Sequence, residues 1–484
     1  MVARTDTPRM DAARQLTRNA DVSLTDQLAS RFGERIRQSL LPAGARLPSV
    51  RECARRHAVS PSTVVAAYDR LLAEGLIVAR RQRGFFVRDA VRTPDAAAAA
   101  PPPRGAAPAL APMSATTLMR GMFQPPGAQP MPGLGTLPVE WLDAGLLAAA
   151  LRRAAAQAGG TLSLQYGEPA GDARLRRALA VRLADHGVTA DPGQIVTTLG
   201  ATHGLDVVTR ALLRAGDAVL VDEPGWPVEF ARLQALGLTV LPVPRGEDGP
   251  DLGAMEQLLR AHRPRLYVTV SVLHNPTGCS LALANAHRLL GLAQQHDLRI
   301  VEDDSYSHLA PPHLPRLAAL DALQRTIYVS GFSKILAPGW RVGFVAAPAA
   351  LVDRFVDAKL LSALTTPALT EQAIAHCLER GLLRRHAERV TARLDAARAR
   401  TARLAEAAGC RFAAPPRGLF GWVDAGVDTE RLARNMLDAG GWLLAPGALF
   451  HAARAPSTLM RVNFATAQEQ RFWRALERAR DAAA

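Results

Sequence analysis

Five polar clusters stand where apolar runs end, and their residue types could do chemistry. In SGFSKILAPGWR (Ser330–Arg341), Lys334 is one of only two lysines among 58 basic side chains, the other being Lys359. A chain that writes almost every cation as arginine keeps an amine here. Arginine stays protonated at working pH, whereas a lysine can be tuned to lose its proton and attack a carbonyl carbon. In VEDDSYSHL, Glu302, Asp303 and Asp304 end an apolar run and Tyr306 follows. Carboxylates at the end of a buried strand need partners. A metal ion is conceivable, but no histidine pattern supports it; a cationic ring nitrogen facing Asp303 also satisfies the charge. In HNPTG, Asn275 precedes a Pro-Thr-Gly turn directly after RLYVTVS, where an asparagine suits turn formation. In DEPGWP, Trp226 follows a strand and either fills core or stacks on a planar ring. In TTLGATHGL, Gly200, Ala201 and Thr202 lie at a helix start, where exposed N–H groups favour phosphate or need only a cap.

An amine, a carboxylate, donors for a phenolic oxygen, an aromatic face and a phosphate cup are together what pyridoxal phosphate requires. The joint match is far more specific than any part. Over about residues 118–484 the chain resembles the fold-type I aminotransferases. On that resemblance Lys334, within SKILAPGWRVG, falls on the Schiff-base lysine and Asp303 on the pyridine-nitrogen aspartate. Tyr306 and Asn275 match the pair that hydrogen-bond the phenolic oxygen, and Trp226 falls at the ring-stacking position. Gly200, Ala201, Thr202, Ser333 and Arg341 fall on the phosphate cup. Tyr166, in LQYGEPAGDARLR, matches a tyrosine that often reaches the neighbouring subunit's cofactor. Arg461, in LMRVNFA, matches the arginine that holds the substrate α-carboxylate, a task suited to its bidentate fork. One departure stands out: the family often has Ser or Thr three residues before the lysine, and here that residue is Gly331, beside Ser330.

These residues need a scaffold that brings strand ends together. DAVLVDE, LTVLPV, RLYVTVS, LRIVEDD, RTIYVSG and RVGFVAA read as short apolar strands, with helical stretches such as LGAMEQLLRAH and ANAHRLLGLAQQH between several of them. That alternation predicts an α/β domain with a mostly parallel central sheet, whose sites collect where strands end.

The first fifth of the chain reads differently. Residues 1–90 hold 16 Arg, no Lys and 9 acidic residues, half of the chain's net charge of +14, which suggests a polyanionic partner. LTDQLASRFGERIRQSL carries apolar residues at i, i+4 spacing. Ser49 with Glu52 forms a capping box, and Ser60 with Pro61 opens the next helix. IVARRQRGFFV reads as two strands around a turn. The pattern is a winged helix-turn-helix, whose second helix enters the major groove. Ser60, Ser62 and Thr63 are small enough for close approach to base edges. Arg51, Arg55 and Arg56, with Arg80, Arg81 and Arg83 on the wing, suit phosphates. LPSVR and SPSTVVAAY resemble the GntR family over roughly residues 22–88. Pro61 stands where that family commonly has Arg, and the wing has a single glycine, Gly84, where two are usual.

The expected organisation is a winged helix-turn-helix over 20–89, an Ala/Pro-rich linker over 90–117 and a PLP-binding type I transferase fold over 118–484. A GntR-like head on an aminotransferase-like body resembles the MocR regulators. The resemblance implies a PLP-dependent transcriptional regulator that binds a double-stranded DNA operator as a homodimer and senses an amino acid or amine through aldimine exchange at Lys334. The alternative is an active aminotransferase with an accessory DNA-binding head. The four cysteines are far apart and fit a reducing cytoplasm rather than a disulfide framework or a zinc site. No apolar run reaches about 18 residues, so no membrane span is expected.

Overall fold

The computed structural model describes residues 23–37, 41, 43–80, 83–88, 113–121, 131–157 and 164–481. They divide into two compact units. One gathers the described residues up to Leu134 with Ala433–Leu443; the other comprises Gly135–Leu432 and Leu444–Ala484.

In the first unit, helices α1 (Leu24–Arg37), α2 (Val50–His57) and α3 (Pro61–Ala73) precede a hairpin of β1 (Ile77–Arg80) and β2 (Gly84–Val87). The serine caps read from the sequence are formed, but the reciprocal half of the capping box is not: the Glu52 carboxylate accepts from Arg56 at 3.0 Å instead of from the Ser49 N–H. Ser49 Oγ accepts from the Glu52 N–H at 3.3 Å, Ser60 Oγ accepts from the Thr63 N–H at 3.1 Å, and Pro61 takes the first helical position. Leu28, Phe32, Leu47, Tyr68, Leu71 and Ile77 are buried together, each fully buried Leu or Phe being worth about 1.5–3 kcal/mol. The Tyr68 hydroxyl donates to the Pro48 carbonyl at 2.9 Å and ties α3 to the loop before α2. The hairpin register pairs Ile77 with Val87 and Arg80 with Gly84. A short helix, Ala115–Gly121, starts inside the segment whose composition predicts a linker; residues 90–112 lie outside the described residues.

The second unit is built on an eight-stranded sheet of β3 (Ile195–Thr198), β4 (Ala218–Glu223), β5 (Thr239–Gly246), β6 (Gly249–Pro250), β7 (Leu266–Thr269), β8 (Arg299–Asp303), β9 (Thr326–Gly331) and β10 (Gly343–Ala346). Its order is β3-β10-β9-β8-β7-β4-β5-β6. β4, β5, β7, β8 and β9 are parallel. β10 runs antiparallel to both neighbours, and β6 is antiparallel to β5. The sheet is therefore mostly parallel, with antiparallel insertions. β7, β9 and β10 are buried along their whole length, which explains why their sequences are continuous apolar runs rather than alternations. A second, antiparallel sheet comprises β11 (Arg411–Phe412), β12 (Phe420–Asp424), β13 (Ala445–Pro446) and β14 (Leu459–Asn463). The strands read from the sequence do not include it: two of its members are only two residues long, too short for a period to show. Among the described residues no helix is long and apolar enough to cross a membrane.

Two antiparallel pairings in succession leave β3 parallel to β9. All five strands that carry a polar cluster after them thus end on the same edge of the sheet. Gly331 and Gly343 face each other across β9 and β10. A Cβ on Gly343 would lie 2.5 Å from the Gly200 carbonyl carbon, and one on Gly331 3.3 Å from the Ala201 nitrogen. The absent hydroxyl at position 331 has a steric reason: the backbone at 200–201 packs on this glycine pair. Gly343→Ala is expected to destabilise the body by about 1–3 kcal/mol through overpacking, measurable by thermal unfolding.

Candidate active site and DNA-binding head

Lys334 follows β9 by three residues and donates from Nζ to the Gly135 carbonyl at 2.8 Å. Burial, and then the nearby Arg461 guanidinium, push its amine down to about 8, against the pull of Asp303. Asp303 is the last residue of β8. Burial raises its carboxyl to about 6, opposed by Ser305, whose hydroxyl and N–H donate to Oδ1 at 2.5 and 3.1 Å. The alternation of β8 explains the acidic triplet. Glu302 points into the core, accepting from the Leu317 and Ala318 N–H groups at 2.7 and 2.8 Å, while burial raises it to about 7. Asp304 accepts from Arg316 Nε at 3.1 Å and from the Tyr328 hydroxyl at 2.8 Å. Only Asp303 reaches the cavity that Trp226, Glu229 and Phe230 also line.

Arg461, on β14, is 4% exposed. Its Nη1 donates to Asn275 Oδ1 at 2.8 Å, and its guanidinium lies over the Phe420 ring at 4.4 Å and the Phe450 ring at 5.2 Å. Burial lowers it to about 10, within the range where it still carries its charge at neutral pH. The Asn275 amide also hydrogen-bonds the Tyr306 hydroxyl, which burial holds well above the usual phenol range. Asn275, Tyr306 and Arg461 therefore form one cluster. A Cβ on Gly135 would lie 3.6 Å from Lys334 Nζ and 3.8 Å from Arg461 Nη2, so this glycine lies between the amine and the guanidinium.

At the end of β3, Gly200 caps the helix Ala201–Leu212, with Thr202 in its first turn. Arg341 donates from Nη2 to the Leu199 carbonyl at 2.8 Å and from Nη1 to Ser333 Oγ at 3.1 Å. Gly200, Ser333 and Arg341 converge: a Cβ on Gly200 would come within 2.7 Å of the Arg341 guanidinium. The structure thus brings together Lys334, Asp303, Asn275, Tyr306, Arg461 and this loop. It does not bring in Tyr166, which is 82% exposed. Gly135, Phe420 and Phe450 adjoin the site although no motif in the sequence marks them.

On the head, Ser60 and Ser62 are exposed at the start of α3, their hydroxyls 2.7 Å apart, and Thr63 Oγ1 is 2.8 Å from Ser60 Oγ. Arg51, Arg55 and Arg83 are exposed. Arg56 pairs with Glu52 at 3.0 Å, and Arg80 stacks over Phe86 at 4.7 Å. Arg81 lies outside the described residues.

The donor set fits pyridoxal phosphate on its own chemistry: an amine lowered by burial, a buried carboxylate at a strand end, paired phenol and amide donors, and a glycine-walled loop with a guanidinium. Comparison with known proteins agrees. Residues 136–478 match the family "Aminotransferase class I and II", and residues 24–87 match "Bacterial regulatory proteins, gntR family". The chain is 31% identical over 450 residues to the probable rhizopine catabolism regulatory protein MocR of Rhizobium meliloti, covering 89% of this chain and 86% of the relative. It is 30% identical over 321 residues to a 2-aminoadipate transaminase of Thermus thermophilus, covering 63% of this chain and 78% of the relative. Among solved structures it resembles an α-aminoadipate aminotransferase of Thermus thermophilus complexed with N-(5'-phosphopyridoxyl)-L-leucine. That likeness has a TM-score of 0.69 and 28% identity and covers 76% of this chain and 95% of that one. The chain belongs to the MocR-type regulators, in which a gntR-family head is joined to a class I and II aminotransferase body whose cofactor is pyridoxal phosphate.

Proposed function

We propose that this protein is a cytoplasmic, homodimeric transcriptional regulator that binds an operator through its head and senses an amino acid or amine in its body. The observation that carries the reading is the juxtaposition of Arg461 with Lys334 across Gly135, in a chain that also has a DNA-binding head. Bound here, pyridoxal phosphate supplies an aldehyde carbon that can be held by the lysine amine or by the amine of an incoming ligand.

The chain's own residues divide the remaining work. Lys334, with its lowered pKa, supplies a neutral amine near physiological pH and can afterwards hold or return a proton at Nζ. With the cofactor bound, Asp303 would pair with its ring nitrogen, Trp226 would cover a ring face, and Asn275 and Tyr306 would donate to its phenolic oxygen. Gly200, Ala201, Thr202, Ser333 and Arg341 would hold its phosphate. Arg461 orients a ligand through its α-carboxylate; the aromatic walls of Phe420 and Phe450 exclude water and strengthen that pairing. Tyr166, exposed on its own subunit, is offered to the neighbouring subunit's site. A ligand that binds two body conformations unequally shifts the population of DNA-binding states by that difference in affinity. On the head, Ser60, Ser62 and Thr63 approach bases, while Arg51, Arg81 and Arg83 contact phosphates.

A second reading, a working aminotransferase with an accessory head, is favoured by the completeness of the Lys334 site. A gel shift on the upstream DNA with PLP and an amino-acid panel separates the two. Regulation predicts a ligand-dependent shift; turnover of the same ligands with no effect on DNA binding supports the enzyme. Arg461→Ala is expected to weaken the response to carboxylate ligands by about 10²-fold, the scale for losing a buried bidentate pair. An unchanged titration would mean that another group reads the carboxylate, or that the effector has none.

A further inference from the structure

The second lysine is not on the surface. Lys359, on the helix Val352–Ala363, is 0% exposed. Its Nζ donates to Thr197 Oγ1 and to Thr366 Oγ1, each at 3.2 Å. The two threonine hydroxyls are 2.9 Å apart, and the Thr366 hydroxyl donates to the Glu371 carboxylate. The Thr366 proton is thus committed to Glu371, so Thr197 donates to Thr366 and accepts from the lysine. Glu371 in turn accepts from the Asp172 N–H at 2.8 Å. One buried relay therefore joins three segments: β3, the turn after the lysine's helix, and the chain leading from Tyr166 to Asp172.

The same helix touches β3's outgoing loop a second time. Ser362 Oγ is 2.9 Å from His203 Nε2, and His203 Nδ1 accepts from the Leu199 N–H at 3.0 Å. The Leu199 carbonyl is the group that receives Arg341. Thr197 and Leu199 are thus both fixed from behind, directly before the Gly200–Thr202 turn.

We propose that Lys359, supported by Ser362 on the same helix, is a positioning residue that sets the Thr197–Thr202 loop for a 5'-phosphate. It does not touch the cofactor; it acts through Thr197. The proposal rests on the assignment of that loop as the phosphate cup. A neutral side chain of similar length would leave the loop without its anchor, and a sub-ångström shift in a preorganised anion site is costly.

The test compares pyridoxal 5'-phosphate with pyridoxal, which lacks only the phosphate, by absorbance titration of the full-length protein. Lys359→Met alone leaves Glu371 buried without its counter-charge and risks misfolding. Lys359→Met/Glu371→Gln removes both charges, and Ser362→Ala, at an exposed position, removes the second contact with little risk to folding. The expected result is an affinity for pyridoxal phosphate reduced about tenfold in the double variant, and less in Ser362→Ala, with pyridoxal affinity unchanged. The preference for the phosphorylated form then falls by the same factor. Equal losses for both compounds would show a purely structural role, and unchanged preference in both variants would overturn the proposal. Failure of the unmodified protein to bind pyridoxal phosphate at all would instead overturn the cofactor site itself.

Discussion

Lys334→Ala is expected to abolish the visible absorbance that survives dialysis against buffer free of cofactor. Around the lysine the other contacts remain: Asp303 at the end of β8, Asn275 with Tyr306, and the Arg341 loop. The variant should therefore still bind pyridoxal phosphate, but reversibly and without retention. Lys334→Arg should fail in the same way although it preserves the charge, because a guanidinium stays protonated and is no nucleophile. The pH dependence follows from the same amine. Burial and the guanidinium of Arg461 lower it to about 8, so the neutral fraction grows as pH rises through that value. The rate of colour development in the unmodified protein should rise across this range and level off above it. A variant that stays yellow after dialysis would disprove the assignment, and a rate indifferent to pH would show that the lysine is not the group being titrated.

Removal of residues 1–89 is expected to abolish operator binding and leave the cofactor spectrum intact. The head carries 16 of the chain's arginines against 9 acidic residues, so its loss takes away half the net positive charge. It also takes away the exposed start of α3, where Ser60, Ser62 and Thr63 stand. Cationic contacts with phosphates make affinity fall with salt in proportion to their number. Arg83→Ala should accordingly weaken binding to all sequences alike and reduce the slope of log affinity against log salt by about 1. Ser62→Ala should change the preference among operator sequences and leave that slope alone. Retention of operator binding by the truncated body would contradict the division of labour.

The head was legible because its signals are local. Ser49 with Glu52 and Ser60 with Pro61 lie within four residues of each other, and the serine caps are visible in the sequence and present in the structure, although Glu52 turns to Arg56 rather than closing the capping box. The apolar runs of β7, β8 and β9 were legible because strands buried on both faces carry no polar alternation. Gly331 showed the limit. By motif it is a missing phosphate contact; in the fold it faces Gly343 and makes room for the backbone at 200–201, a neighbour 130 residues away that no local pattern reports.

What the sequence determined by itself was which atoms are available: one lysine set among strand-end clusters where arginine could not serve, three carboxylates at the end of an apolar run, and a basic head with its serine caps in place. What only the tertiary structure decided was which of these groups meet. Arg461 lies 186 residues from the Asn275 it binds, and Lys334 lies 199 residues from the Gly135 carbonyl that holds its amine. Lys359, indistinguishable in the sequence from a surface cation, is buried in a relay behind β3. Residue type and short-range spacing are set by chemistry and backbone geometry, which a sequence displays directly. Contacts across a sheet edge depend on strand order and on two antiparallel turns of the chain, and these arise only when the whole core packs.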